Sequence, residues 1–203
     1  MTRRRRIATA TMLVALPVIC LLVASSFSAD SSAGLVENSS DGNVVGLSAF
    51  RDVASVLVSP RCLNCHVPGE SPLQYDDSHP HNMNVKRGAD GNGSPAMKCT
   101  NCHQPTNTEF AHAPPGAAGW RMPNAKTPMA WQGLSTGELC RSLKDPSKNG
   151  GRSLSALVEH VTSDKIVNWG WNPGPGRTTP PLPHQQFVDK FRQWVDRGAP
   201  CEP

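Results

Sequence analysis

Apolar side chains recur at helical spacing in four stretches of the chain. Within each stretch they lie three or four positions apart, so they fall on one side of an α-helix. A capping box from Ser135 to Glu138 starts one of these helices, and Gly198 is a natural residue to follow the last one. The predicted helices cover residues 47–57, 135–143, 154–161 and 185–197.

Residues 67–130 show almost no sustained helical or strand period and are rich in Pro, Gly, Asn and His. Residues 29–43 are rich in Ser, Gly, Asp and Asn and predict a flexible linker. Residues 172–183, dense in Pro and Gly, predict a loop. The pattern as a whole predicts a mainly α fold with extensive irregular loops. Composition like that of 67–130 normally indicates disorder, because it offers few residues for a core.

The N-terminal residues have the pattern of an export signal. Four arginines at 3–6 precede an apolar stretch, Ile7 to Phe27, that contains no charged residue. Small residues permit cleavage near Ala29, although the stretch is also long enough to span a bilayer as a membrane anchor. We therefore expect a signal peptide or anchor over 1–28, a linker over 29–43 and a single domain over 44–203, exported to the periplasm.

The net charge of the chain comes from this signal. The whole sequence has 20 Lys and Arg against 16 Asp and Glu, and the four arginines of the signal account for the excess. The remainder is formally neutral. A nucleic-acid-binding protein needs a basic patch or stripe, so we expect no nucleic-acid partner.

Two copies of one five-residue motif dominate the chemistry of the chain. They are Cys62-Leu63-Asn64-Cys65-His66 and Cys99-Thr100-Asn101-Cys102-His103. CxxCH is the signature of haem attachment in c-type cytochromes. Two thiols at this spacing can each add to one vinyl group of a porphyrin, while the adjacent histidine reaches the iron. The sequence therefore predicts two covalently bound c-type haems, attached at Cys62, Cys65, Cys99 and Cys102, with His66 and His103 as proximal ligands.

Zinc binding and thiol redox chemistry are the alternatives for paired CxxC motifs. Zinc sites usually separate the two pairs by about 15–20 residues, whereas 33 residues lie between Cys65 and Cys99. Zinc also gives no reason for a histidine after both pairs. A thioredoxin-like site would follow a strand in a βαβ unit, and no apolar run of that kind precedes either motif.

The spacing of the motifs also limits the architecture. A segment of 33 residues is too short for a complete domain, so both haems would share one compact, multihaem-like cytochrome fold. Two large apolar cofactors would then supply the core that residues 67–130 lack.

Two cysteines remain outside the motifs and the signal. The chain has seven cysteines, of which four belong to the motifs and one to the signal. Cys140 and Cys201 are left, and in an oxidising compartment we expect them to form a disulfide. The alternative is two unrelated buried thiols.

The ligand on the other side of each iron is less firmly indicated. His81 lies between the motifs, Met129 sits between a proline and Trp131, and His160 lies beside the apolar stripe of its helix. Each is a candidate distal ligand, since His or Met completes an electron-transfer haem. Each is alternatively a surface or hydrogen-bonded side chain. Arg61, Arg87 and Arg121 are candidate partners of the haem carboxylates, or solvated charges.

Several short motifs are spread over nearly all of residues 44–203. They are the CLNCH motif at 62–66, PH at 80–81 with VKRG at 85–88, MAW at 129–131, LC at 139–140, KDP at 144–146 with NGG at 149–151, EHV at 159–161, WGW at 169–171 and GAPC at 198–201. Together they resemble a family of small bacterial dihaem c-type cytochromes often labelled isoquinoline 1-oxidoreductase subunits. That label implies a molybdenum hydroxylase complex, in which this chain would at most be the electron-accepting cytochrome.

These observations favour a periplasmic protein that transfers electrons between a redox enzyme and the respiratory chain, either alone or as the cytochrome subunit of an oxidoreductase. Its partners would be redox proteins, with a membrane contact only if the N-terminal segment stays as an anchor. The alternatives are a haem enzyme, such as a peroxidase, and a haem-based sensor. Both alternatives require one iron with an open position.

Overall fold

A computed structural model describes the backbone of residues 33–203 and the side chains of residues 41–203. The predicted signal or anchor over 1–28 lies outside the described residues. The fold is mainly helical with a few very short strands. Its helices are α1 (Ala33–Leu57), α2 (Pro60–Leu63), α3 (Thr136–Lys144), α4 (Leu154–Ser163), α5 (Lys165–Trp169) and α6 (His184–Asp196); its strands are β1 (Leu73–Gln74), β2 (His79–Pro80), β3 (Gly93–Ser94) and β4 (Met97–Lys98).

The core lies where α1 and α6 pack along each other, with α3 and α4 beside them. Aromatic side chains contribute to it: the ring centroids of Phe50 and Trp194 are 4.7 Å apart, and those of Phe191 and Trp194 are 5.4 Å apart. Burying an aromatic side chain removes a large apolar area from water. The helical stripes predicted from the sequence are therefore the faces that form this core.

The first helix is longer than predicted, because it begins at Ala33 rather than Leu47. Residues 33–43 of the predicted linker are therefore helical in the structure. The buried face of α1 includes Gly46, where a Cβ atom would lie 2.6 Å from Pro200 Cγ. A glycine contributes nothing to an apolar stripe, so the sequence pattern could not show that this turn packs.

The C-terminal helices end and begin as expected. Ser135 Oγ accepts a hydrogen bond from the Glu138 amide, and Glu138 accepts one from the Ser135 amide, which confirms the capping box of α3. Gly198 follows α6 with a φ of +82°. Cys140 and Cys201 form the predicted disulfide, with 5.6 Å between their Cα atoms. This bond fastens the C-terminal tail to α3.

The long segment between α2 and α3 is folded, although its regular structure is limited to two antiparallel strand pairs and short turns. Arg87 organises it from inside. This arginine is 1% exposed and donates hydrogen bonds to the carbonyls of Val67, Gly69, Pro123 and Pro128. Its guanidinium thus joins both ends of the segment, which identifies Arg87 as a structural residue.

Within the described part of the chain, no helix combines the length and the apolar character that crossing a membrane requires.

Candidate functional site

The backbone of each CxxCH motif forms one helical turn. The amide of His66 donates to the carbonyl of Cys62, and the amide of His103 donates to the carbonyl of Cys99. The first motif begins in α2, where Pro60 occupies the first turn, and the second begins in a 3-10 turn over Cys99–Asn101. One helical turn brings residues i, i+3 and i+4 to the same side of the chain.

The His66 ring is held in one orientation by two contacts. Its Nδ1 lies 2.9 Å from the Met129 carbonyl oxygen, and its ring stacks on Trp131 with centroids 3.5 Å apart and planes 2° apart. A carbonyl only accepts hydrogen bonds, so Nδ1 carries the proton. Nε2 is therefore left with a lone pair, which is the form in which histidine binds a metal.

His103 repeats this arrangement with different partners. Its Nδ1 lies 2.7 Å from the Pro115 carbonyl oxygen, and its ring stacks on Trp120 with centroids 4.4 Å apart and planes 5° apart. The two motif histidines thus share a carbonyl acceptor at Nδ1, a tryptophan on the ring face and an available Nε2.

Both imidazoles are neutral at physiological pH. Burial lowers the pKa of His66 to about 4 and that of His103 to about 4, outweighing the hydrogen bonds from Nδ1, which raise it. A neutral imidazole is required of a metal ligand, because a bound proton and a metal compete for the same lone pair.

Cys62, Cys65 and Cys99 are held in their protonated form. Burial raises the pKa of Cys62 to about 12 and that of Cys65 to about 11, and it also raises the pKa of Cys99. Disulfide-exchange sites work through a thiolate and lower the pKa of the attacking cysteine. This environment therefore argues against the thiol redox alternative.

Each motif faces a cavity. The first cavity, of about 100 Å³, contains Cys62, Cys65 and His66 in its wall, together with side chains of the helical core. The second cavity, of about 210 Å³, has Cys99, Cys102 and His103 in its wall and is otherwise bounded mainly by the long loop segment. Both volumes are below the roughly 300–1,000 Å³ of typical ligand sites.

His81 lies opposite His103 in the second cavity. The centroids of the two imidazole rings are 6.2 Å apart, and the ring planes are inclined at 63°. His81 Nδ1 lies 2.8 Å from the Asn82 carbonyl oxygen, so Nε2 is again left available. The structure thus brings together two of the predicted site residues that are 22 positions apart in the chain.

His160 shares the first cavity with His66. It projects from α4, and its Nδ1 lies 3.6 Å from a carboxylate oxygen of Asp164, one turn further along the chain. Burial lowers the pKa of His160 despite this carboxylate. His160 is therefore a neutral imidazole in the wall of the cavity that His66 faces.

Met129 contributes to the wall of the first cavity, together with His66 and His160. Its backbone carbonyl accepts the hydrogen bond from Nδ1 of His66 and so also positions that ring. Two other histidines have hydrogen-bond partners at the surface or in the core: His79 contacts Asp77 and Gln74, and His184 contacts the Val161 carbonyl.

The two cavities have a common wall. Cys65, Arg61, Trp120 and Trp169 contribute to both. The indoles of Trp120 and Trp169 meet edge to face, with centroids 4.8 Å apart and planes 82° apart. The motifs are therefore neighbouring parts of one site.

Sequence reasoning missed Trp120, Trp169 and the acceptor carbonyl of Pro115. Both tryptophans have a signal in the sequence, since large aromatic side chains tend to pack against other groups. A backbone carbonyl has no signal in the sequence. Trp131, two positions after the candidate ligand Met129, stacks on the His66 ring.

Among the described residues, no group of three or more His, Cys, Asp or Glu side chains is arranged to hold a metal ion. Comparison with known proteins found no matching family model, no matching curated protein and no matching solved structure.

Proposed function

We propose that this protein is a periplasmic dihaem c-type cytochrome that transfers electrons between redox proteins. Haem attached at each CxxCH motif would supply an iron that gains and loses one electron. The chain supplies the thiols that attach the cofactor, the imidazoles that bind it and two cavities joined by a common wall. The family resemblance of the sequence points to the same function.

The observation that carries the proposal is the separation of His81 and His103. Metal–imidazole bonds are about 2.0–2.1 Å long, and a ring nitrogen lies about 1.2 Å from its ring centroid, so two histidines that hold one metal between them have centroids up to about 6.5 Å apart. The observed separation is 6.2 Å. His81 and His103 would therefore be the residues that hold the iron in the second cavity.

Two histidine ligands favour electron transfer over catalysis at the second site. An iron held by two protein side chains would leave no position open for a substrate or a gas. The setting of the His103 ring also supports this function, because a ligand already fixed by hydrogen bonding and stacking moves little when the charge on the metal changes.

The haem enzyme and sensor alternatives apply to the first site. Among the described residues, the His66 ring stacks on Trp131 and not on another imidazole. In the second cavity, by contrast, the rings of His81 and His103 contact each other. His160 lies in the first cavity with its Nδ1 near Asp164. If neither His160 nor Met129 binds the first iron, that iron would have an open position.

Expression with a c-type maturation system followed by intact-mass measurement tests the proposal. We expect two haem masses on the wild-type protein and one on each of the double variants C62A/C65A and C99A/C102A. The two single-haem variants serve as controls for each other, since each keeps one complete motif. A protein that carries no covalent haem, or that binds zinc instead, contradicts the proposal.

Carbon monoxide binding then separates the carrier from the alternatives. We expect the ferrous wild-type protein to bind none, and His81→Ala to bind one molecule per protein because it opens the second iron. His160→Ala should likewise open the first iron. If the wild-type protein itself binds one molecule and His160→Ala does not change this, the first site is open and the enzyme or sensor function is favoured.

A further inference from the structure

Arg61 lies between the two cavities and contributes to the walls of both. It occupies the first turn of α2, directly before Cys62, and only 2% of its side chain is exposed. A charged side chain is rarely buried to this extent unless it is paired, since removing it from water is costly.

The polar contacts of Arg61 account for only part of its guanidinium. One terminal nitrogen lies 2.5 Å from a carboxylate oxygen of Asp76. The group also lies over the Trp169 ring, 5.9 Å from its centroid. Within the described residues its Nε is buried and has no hydrogen-bond partner. A buried donor without an acceptor costs about 1–3 kcal/mol, so this nitrogen indicates an acceptor that the chain does not provide.

Other arginines near the cavities differ from Arg61. The buried guanidinium of Arg87 donates to four backbone carbonyls. Arg121 is 46% exposed and lies 3.7 Å from Asp164. Arg61 thus combines deep burial, an unsatisfied donor and a position in both cavities.

We propose that Arg61 binds carboxylate groups of the cofactors in both cavities and that this single positive charge raises the reduction potential of both haems. This inference rests on the proposed function, because it takes the occupants of the cavities to be porphyrins, which carry carboxylates. Arginine suits the role, since its planar fork of donors can bind more than one carboxylate at once.

The sign of the effect follows from charge. Oxidation of an iron adds one positive charge to its site, and a nearby guanidinium opposes that change through Coulomb repulsion. Removing the guanidinium therefore stabilises the oxidised form and lowers the potential. Removing the carboxylate of Asp76 leaves the guanidinium uncompensated and raises the potential. Because the site is shared, both haems respond in the same direction.

Potentiometric titration of the mature dihaem protein tests this inference. We expect Arg61→Gln to lower both midpoint potentials by at least about 59 mV, which corresponds to a tenfold change in the one-electron equilibrium constant. We expect Asp76→Asn to raise both midpoint potentials. Arg61→Lys keeps the charge and should restore both midpoints toward the wild-type values. Arg51→Gln is the matched control, since Arg51 is 63% exposed on α1 and pairs with Glu202; it should move neither midpoint.

A shift confined to one haem, or no shift in either variant, would overturn the proposal. So would an Arg61→Lys variant that shifts as far as Arg61→Gln, because the residue would then act through packing. If Arg61→Gln does not fold, Asp76→Asn decides alone, since its carboxylate is 38% exposed. Failure of the proposed function is distinguishable, because the protein would carry no covalent haem mass.

Discussion

The disulfide between Cys140 and Cys201 allows a quantitative test of how the helical part is held together. The bond closes a loop between positions 61 residues apart. Loop closure on this scale removes about 14 cal/mol/K of entropy from the unfolded chain, which is about 4 kcal/mol at 25 °C. The double variant C140A/C201A should lose stability of this order and unfold about 8–16 °C lower.

Denaturant unfolding of the ferric protein, followed by circular dichroism, measures this loss. Lys144→Met is the control, because it removes only the hydrogen bond from Lys144 Nζ to the Ala199 carbonyl in the same tail. That bond should contribute about 1 kcal/mol. If the double variant loses no more stability than Lys144→Met, the tail is held by packing and the entropic reasoning is refuted.

Three further predictions concern pH, a buried cation and a helix contact. Because burial lowers the pKa of His66 and His103 to about 4, both imidazoles of the haem-free protein should stay unprotonated as the pH falls through 6.5; NMR titration of the ring protons checks this, and protonation near pH 6.5 would contradict it. Arg87→Met leaves several buried carbonyls without a donor, and denaturant unfolding should show a loss of about 3 kcal/mol or more. Gly46→Ala gains about 1 kcal/mol of helix propensity, but the new Cβ overlaps the C-terminal tail, which costs about 1–3 kcal/mol. Thermal unfolding should therefore show a net loss of stability. Gly42→Ala is the control, since its Cβ would meet nothing closer than 3.9 Å, and it should not destabilise the protein.

The helical part of the fold could be predicted because its signals are local. The apolar stripes of α3, α4 and α6 and the capping box at Ser135 each depend on residues within a few positions of one another. The disulfide was predictable for a different reason, since only two cysteines remained to pair. The start of α1 was not, because the first buried position among its described side chains, from residue 41 onward, is a glycine.

The candidate site could be predicted only where a recognisable sequence motif identifies the side chains. The CxxCH motifs identify four thiols and two imidazoles, and His81 was a candidate because it lies between them. The orientation of His66 and His103 depends on two backbone carbonyls, which any residue would have supplied. The position of Arg61 in both cavities depends on how a loop without periodicity folds, and neither helical nor strand patterns describe such a loop.

The division of the core has a consequence for how the protein is made. The helices bury their apolar side chains against one another, whereas the segment between α2 and α3 has few buried apolar side chains of its own and surrounds the second cavity. If haem is attached as we propose, the helical part would be stabilised by its own side chains, whereas residues 67–130 would gain apolar contacts from the cofactors. A chain without haem would then expose residues 67–130 to proteolysis more than the helical part.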